Sequence, residues 1–159
     1  MDVERIYDLP DLIPVVERHK ARGETVVFTN GCFDLLHVGH VRYLAQARRE
    51  GDVLVVGLNS DRSVKHLKGP DRPVQTEVDR AEILSAMRCV DYVVIFDEAT
   101  PIDLITALKP DILVKGEDWE EDKIVGANEV KSWGGRVVRA SLIAGASTSS
   151  LIERMKKPG

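Results

Sequence analysis

The sequence predicts an α/β fold: a doubly wound parallel sheet of five strands flanked by helices. Three observations lead there. Five short runs are rich in Val, Ile and Leu, at 25–29 (TVVFT), 53–58 (VLVVGL), 92–96 (YVVIF), 112–115 (ILVK) and 136–140 (RVVRA). Most of them are continuously apolar rather than alternating, the pattern of strands covered on both faces by helices. Helix-like segments separate them, at about 39–50, 77–88, 101–108 and 127–133. Strand–helix alternation of this kind builds a parallel sheet.

The other elements follow from punctuation. A helix at about 11–22 precedes the sheet and one at about 148–156 closes the chain. Gly51 and Pro110 fall in connections. Thr100–Pro101 reads as an N-cap followed by proline at the first helical position. Gly134–Gly135 reads as a helix stop. The segment 60–76, with weak periodicity, two prolines and several cations, reads as a surface loop. No repeat or linker interrupts the pattern. We therefore expect one domain over 1–159, with its core at about 24–156 and the N-terminal helix outside it.

Bulk composition narrows the function classes. The 159 residues are 43% hydrophobic and 30% charged, with a formal net charge of -4. That argues against non-specific binding of nucleic acid, which needs a basic face. No apolar run approaches the length of a membrane span and no leader is evident, so no membrane partner is expected. The two cysteines, Cys32 and Cys89, fit no metal or redox spacing. A reduced, cytoplasmic protein is the expectation.

The first strand runs into TNGCFDLLHVGH, residues 29–40, which carries two of the four histidines, His37 and His40. In an open α/β sheet, ligands bind beyond the carboxyl ends of the strands, so this stretch lies in the ligand crevice. Gly31 permits a tight turn. The next helix starts near Val38 or Gly39, and its unpaired N–H groups make an anion site that Gly39 lets a phosphate approach. From spacing alone, the histidines hold a phosphate, cap the helix, or bind a metal. A metal would need further ligands, and Asp34 is the only near candidate.

The run NGCFDLLHVGHVRYLAQAR resembles the signature of the nucleotidyltransferases with a His-x-Gly-His motif, the superfamily of cytidylyltransferases and phosphopantetheine adenylyltransferase. VVGLNSDRSVKHLKGPDRPV, DYVVIFDEATP, ILVKGEDW and GASTSSLIERM resemble segments of the adenylyltransferases that activate heptose 1-phosphate. The resemblance covers about residues 24–156 and implies a Rossmann-like fold. It implies transfer of AMP from ATP to D-glycero-D-manno-heptose 1-phosphate, the beta anomer, with pyrophosphate released. Mg²⁺ is expected with the ATP, held largely by phosphate oxygens and water, and no protein metal site is expected. A homodimer is also implied. Such domains often follow a sugar kinase in one chain; with no kinase half here, a stand-alone enzyme working with a separate heptose kinase is expected.

The resemblance also distributes roles. His37 and His40 would hold the α-phosphate oxygens, with Lys68 the mobile cation between that phosphate and the incoming one; Lys65 is a second candidate for this role. Asn30, Gly31, Cys32, Phe33 and Gly39 would face the nucleotide, chiefly through backbone. Lys115, Gly116 and Asp118 would help hold it, Asp118 at the ribose hydroxyls. Ser147, Thr148 and Ser149 would bind the β- and γ-phosphates, one of them doubling as an N-cap. Asn59 and Asp61 are candidates for sugar hydroxyls. Arg72 and Arg80 are candidates for the sugar phosphate, because arginine binds phosphate in a fork. For Arg80 the competing reading is a surface salt bridge to Glu77 or Asp79, and for Trp119 plain packing is expected. Competing functions are a cytidylyltransferase for glycerol 3-phosphate or a related phosphate, a GTP-using heptose 1-phosphate guanylyltransferase, and a non-catalytic nucleotide sensor on the same fold.

Overall fold

A computed structural model describes residues 5–159. Its strands are β1 (Ile6–Tyr7), β2 (Val26–Gly31), β3 (Val53–Asn59), β4 (Tyr92–Phe96), β5 (Ile112–Gly116) and β6 (Arg136–Ala140). They form one sheet in the order β1-β4-β3-β2-β5-β6, and every pairing is parallel. The helices are α1 (Leu9–Ala21), α2 (Val38–Arg49), α3 (Asp61–Lys68), α4 (Glu77–Ser85), α5 (Ile102–Leu108), α6 (Ala127–Ser132) and α7 (Thr148–Lys156). Among the described residues, no helix is long and apolar enough to cross a membrane.

Successive strand residues point to opposite faces, and here both faces are covered. Val26, Phe28, Val55, Val94 and Leu113 pack with Leu12 and Val16 of α1, Ile105 of α5 and Val130 of α6. Val27, Leu54, Val56, Val93 and Val114 pack on the other side with Leu44 of α2 and Leu84 of α4. Alternation disappears from β2, β3, β4 and β5 because both faces of these strands are covered.

The sheet has six strands rather than five. Strand β1 pairs Ile6 with Val93 and Tyr7 with Val94, and two residues set among charges leave no periodic signal. The expected loop at 60–76 begins with a helix, α3. Ser60 caps it by accepting from the Ser63 N–H. Only Ser63 and Val64 of its residues are buried, so its apolar stripe is too thin to read. Thr100 is not an N-cap: α5 starts at Ile102 with Pro101 in the cap position.

Chain order turns back at β2. β2, β3 and β4 run outward in one direction, then the chain crosses to β5 and β6 on the other side of β2. Such a switch point leaves a crevice at the carboxyl ends of the strands. Here the crevice is deepened by a parting of strands. β2 pairs with β3 as far as Gly31–Leu58 but with β5 only at Val27–Ile112 and Phe28–Leu113. The Thr29 hydroxyl donates across the gap to the Val114 carbonyl at 3.0 Å. The Tyr43 hydroxyl lies 2.7 Å from that of Thr29.

Arg80 of α4 fixes the floor of the crevice. It is 1% exposed. Its Nη1 donates to the Cys32 and Asn59 carbonyls, at 2.6 and 2.9 Å, and its Nε to the Gln75 carbonyl. Its Nη2 meets Asp61 Oδ1 at 2.8 Å. This corrects both readings made from the sequence. Arg80 is neither a sugar-phosphate ligand nor the partner of Glu77 or Asp79; it is an enclosed strut joining the ends of β2 and β3 to the start of α3. Asp61 is committed to the same strut. Replacing Arg80 with Met would strand three carbonyls and one carboxylate. We expect a loss of about 3 kcal/mol of stability, because breaking a buried ion pair from one side is strongly destabilising. Urea unfolding at neutral pH measures it.

Candidate active site

Beyond Gly31 the chain turns sharply. Phe33 and Leu35 adopt φ of 46° and 48°, a left-handed backbone that non-glycine residues rarely take. A Cβ on Gly31 would meet the Phe33 ring at 3.0 Å. The Phe33 ring in turn lies 5.5 Å from that of His40. The turn delivers His37 to the N-cap of α2 with extended backbone, φ −133°.

The two histidines cap this helix reciprocally. His37 Nδ1 accepts from the Gly39 N–H at 3.1 Å, and His40 Nδ1 accepts from the His37 N–H at 3.2 Å. Their rings are 3.8 Å apart. A neutral imidazole that accepts at Nδ1 carries its proton on Nε2, so the hydrogen-bond network assigns both rings a free Nε2–H donor. Burial keeps them neutral. It pulls His40 down to about 4, helped by His37 and Lys68 and opposed by Asp34, and it lowers His37 as well. Capping and anion donation are therefore not competing roles. Gly39 is required beneath them, since a Cβ there would stand 2.7 Å from His37 Cε1.

A cavity of about 360 Å³ opens on these rings. Its wall includes Asn30, Gly31, Cys32, Phe33 and Gly39 from the β2–α2 segment, Lys115, Gly116 and Asp118 after β5, and Ser147, Thr148 and Ser149 at the start of α7. Ser147 is the N-cap of α7, accepting from the Ser150 N–H at 3.0 Å. The Thr148 hydroxyl donates to the Asp34 carbonyl. Ser149 is exposed. A second chamber of about 390 Å³ adjoins the first. Asn59, Leu67, Thr100, Pro101, Ile124 and Val125 line it, and it shares Asn30, Gly31, Cys32, Lys68, Lys115 and Trp119 with the cavity.

Lys68, the last residue of α3, therefore stands where the two spaces meet. Lys65 is exposed and lies outside both walls. Burial lowers the pKa of Lys115, against the raising pull of Cys32 and Asp118, and its Nζ sits 5.5 Å over the Trp119 ring. Trp119 is not a packing residue: it is 46% exposed at the junction of the two spaces. Asn59 is in the second chamber, with its side-chain amide donating to Ser63 Oγ at 2.9 Å. Arg72 lies on the cavity side and not in the second chamber.

Asp34 is a residue that the spacing did not single out except as a possible metal ligand. It is 2% exposed and accepts from Arg72 Nε at 3.0 Å and from the Val74 and Gln75 N–H groups at 2.8 and 3.0 Å. Burial alone would raise its pKa, but these two amides and the guanidinium outweigh it and hold the carboxyl below its usual range. Among the described residues, no group of three or more His, Cys, Asp or Glu is placed to hold a metal ion. The cavity is instead rich in donors and cations, which suits polyanionic phosphate.

The neutral histidines make stability depend on pH. The folded His40 has a pKa of about 4, below the ordinary value near 6.5. The unfolded chain takes up that proton first as pH falls. His40's contribution is therefore complete above about 6.5 and is lost progressively from there to about 4. His40→Gln should show a shallower loss of stability than wild type across that window, by urea unfolding at several pH values.

Residues 28–154 match the family model described as Cytidylyltransferase-like. The "Bifunctional protein HldE" of Syntrophotalea carbinolica is 60% identical over 141 residues, 89% of this chain and 29% of that protein. The chain thus spans under a third of the length of such curated relatives. A crystal structure of the lipopolysaccharide core biosynthesis protein from Thermoplasma volcanium superposes with a TM-score of 0.63 at 28% identity, covering 76% of this chain and 98% of that one. Pantoate-beta-alanine ligase from Francisella tularensis has the same TM-score at 16% identity, covering 94% and 72%, a likeness of fold. The match begins inside β2 and runs through the paired histidines into α7, and on it the chain belongs to the cytidylyltransferase-like family.

Proposed function

We propose that this protein is a cytoplasmic nucleotidyltransferase that moves AMP from ATP to D-glycero-D-manno-heptose 1-phosphate, the beta anomer, giving ADP-heptose and pyrophosphate. The observation that carries the chemistry is the pair of neutral histidines with free Nε2–H donors on a cation-lined cavity. The identity to HldE and the superposed lipopolysaccharide core biosynthesis protein support the sugar and its use in surface polysaccharide.

In this reading an oxygen of the sugar phosphate attacks the α-phosphorus of ATP in line. One P–O bond forms and the α–β bridging bond breaks, with its electrons leaving on pyrophosphate. His37 and His40 donate to the α-phosphate oxygens, where preorganised donors act without reorganising as charge shifts. The nucleotide lies in the cavity and the sugar in the second chamber. Lys68 stands between them, so it neutralises the two phosphates that must approach each other; Lys65 is the less suited of the two lysines. Asp118 accepts from the ribose hydroxyls and Trp119 offers an exposed ring face. Mg²⁺, if carried in on the triphosphate, would supply further charge neutralisation; among the described residues no group of three or more His, Cys, Asp or Glu is placed to hold it. The acceptor would come from a heptose kinase. A homodimer is part of the same proposal, two-fold assemblies being the commonest.

The family's name favours one second reading, a cytidylyltransferase acting on glycerol 3-phosphate or a related phosphate. Pyrophosphate release with ATP, CTP and GTP, each paired with both heptose 1-phosphate anomers and with glycerol 3-phosphate, separates them. We expect release with ATP and the beta anomer alone. Release with CTP or GTP but not ATP would replace the nucleotide. In the productive pair, His40→Ala should lower kcat by about a hundredfold or more, and undiminished turnover would refute the assigned role.

A further inference from the structure

We propose that Arg72 is a ligand of the pyrophosphate leaving group, positioned by Asp34; the inference rests on the nucleotidyl-transfer reading above. Three placements lead to it. First, Arg72 forms part of the wall that holds His37, His40 and Ser149, and of a groove beside α7 that also includes Ser149. It takes no part in the second chamber, where the sugar is placed. Second, its guanidinium is only half used. Nε is bound to Asp34 at 3.0 Å, the side chain is 13% exposed, and Nη2 is buried without a partner in the protein. A buried donor left unmade is costly, and an arginine fork with one edge fixed and a free nitrogen is preorganised for a phosphate oxygen.

Third, Asp34 ties this arginine to the rest of the phosphate-facing wall. Its carboxylate holds the 72–75 segment through Arg72, Val74 and Gln75. Its own carbonyl accepts the Thr148 hydroxyl at the start of α7. Three residues later the same chain segment reaches His37. One buried residue thus sets Arg72, the α7 hydroxyls and the histidine cap in register. When the α-phosphorus passes to the attacking oxygen, the electrons of the breaking bond collect on the former α–β bridging oxygen, which leaves as a terminal oxygen of pyrophosphate. A cation fixed on the α7 side of the cavity is placed to receive that charge. Arg72 is then a catalytic residue for departure of the leaving group, and Asp34 a positioning residue.

Calorimetric titration of wild type, Arg72→Gln, Arg72→Lys and Asp34→Asn with inorganic pyrophosphate, ATP, AMP and heptose 1-phosphate tests this. For Arg72→Gln we expect pyrophosphate and ATP to bind about tenfold or more weakly, as for loss of a charge-assisted hydrogen bond, with AMP and the sugar phosphate unchanged. Arg72→Lys keeps the charge without the fork and should fall between. Asp34→Asn should show the same split between ligands to a smaller degree, which mere loosening of the fold would not produce. Thermal melts establish that each variant is folded, and Arg72→Lys and Asp34→Asn carry the test if Arg72→Gln is not. Weakened sugar-phosphate binding with pyrophosphate unaffected, or no change for any ligand, overturns the proposal. Pyrophosphate binding that depends on Arg72 in a protein binding no nucleotide would uphold the anion site and sink the nucleotidyl-transfer reading.

Discussion

The parting of β2 from β5 is the constraint on which the site depends. β2 is a central strand, yet its pairing with β5 is confined to Val27 and Phe28 while its pairing with β3 continues to Gly31. Backbone groups left at such a gap must find partners, and the Thr29 hydroxyl serves Val114 there. The gap gives the cavity its depth. It also sets the ends of β2 and β5, with Asn30 to Cys32 on one and Lys115 to Asp118 on the other, on opposite sides of one space.

Into that space the fold directs a helix start whose cap is made of the proposed catalytic groups. Ser, Thr, Asp and Asn usually cap helices because a short oxygen side chain reaches the free N–H groups. Here two imidazoles do so with Nδ1, which orients each ring and leaves Nε2 as a donor. Burial then keeps the rings uncharged. A neutral donor suits a phosphate whose oxygens gain further charge as the reaction proceeds, because it interacts most strongly in the transition state. The lasting positive charge is left to Lys68, Arg72 and Lys115, which line the same wall.

Much of this was legible in the sequence because it depends on local rules. Continuous apolar runs gave the parallel sheet, the switch-point rule placed residues 30–40 in the crevice, and the hydroxyl run at 147–149 marked a helix start. What stayed hidden depends on partners distant in sequence. Arg80 looked like a surface cation on a helix; its burial is set by carbonyls at Cys32 and Asn59, 48 and 21 residues away. Asp34 looked incidental until Arg72 and Thr148 met it. α3 was concealed by its own polarity, and β1 by its brevity. Trp119 read as packing because aromatic residues are usually buried, whereas the turn after β5 leaves its ring on the cavity.

His37 and His40 should be neutral Nε2–H donors, their Nδ1 atoms held by the backbone N–H groups of Gly39 and His37. Nitrogen-15 NMR of the imidazole side chains at neutral pH, in protein labelled at histidine, reads the tautomer directly. An unprotonated Nδ1 and a protonated Nε2 are expected on both rings, with the Nε2 signals moving when a non-hydrolysable nucleoside triphosphate is added. Protons on Nδ1, or charged rings at neutral pH, would contradict it, because neither form can accept the two backbone hydrogen bonds that build the cap.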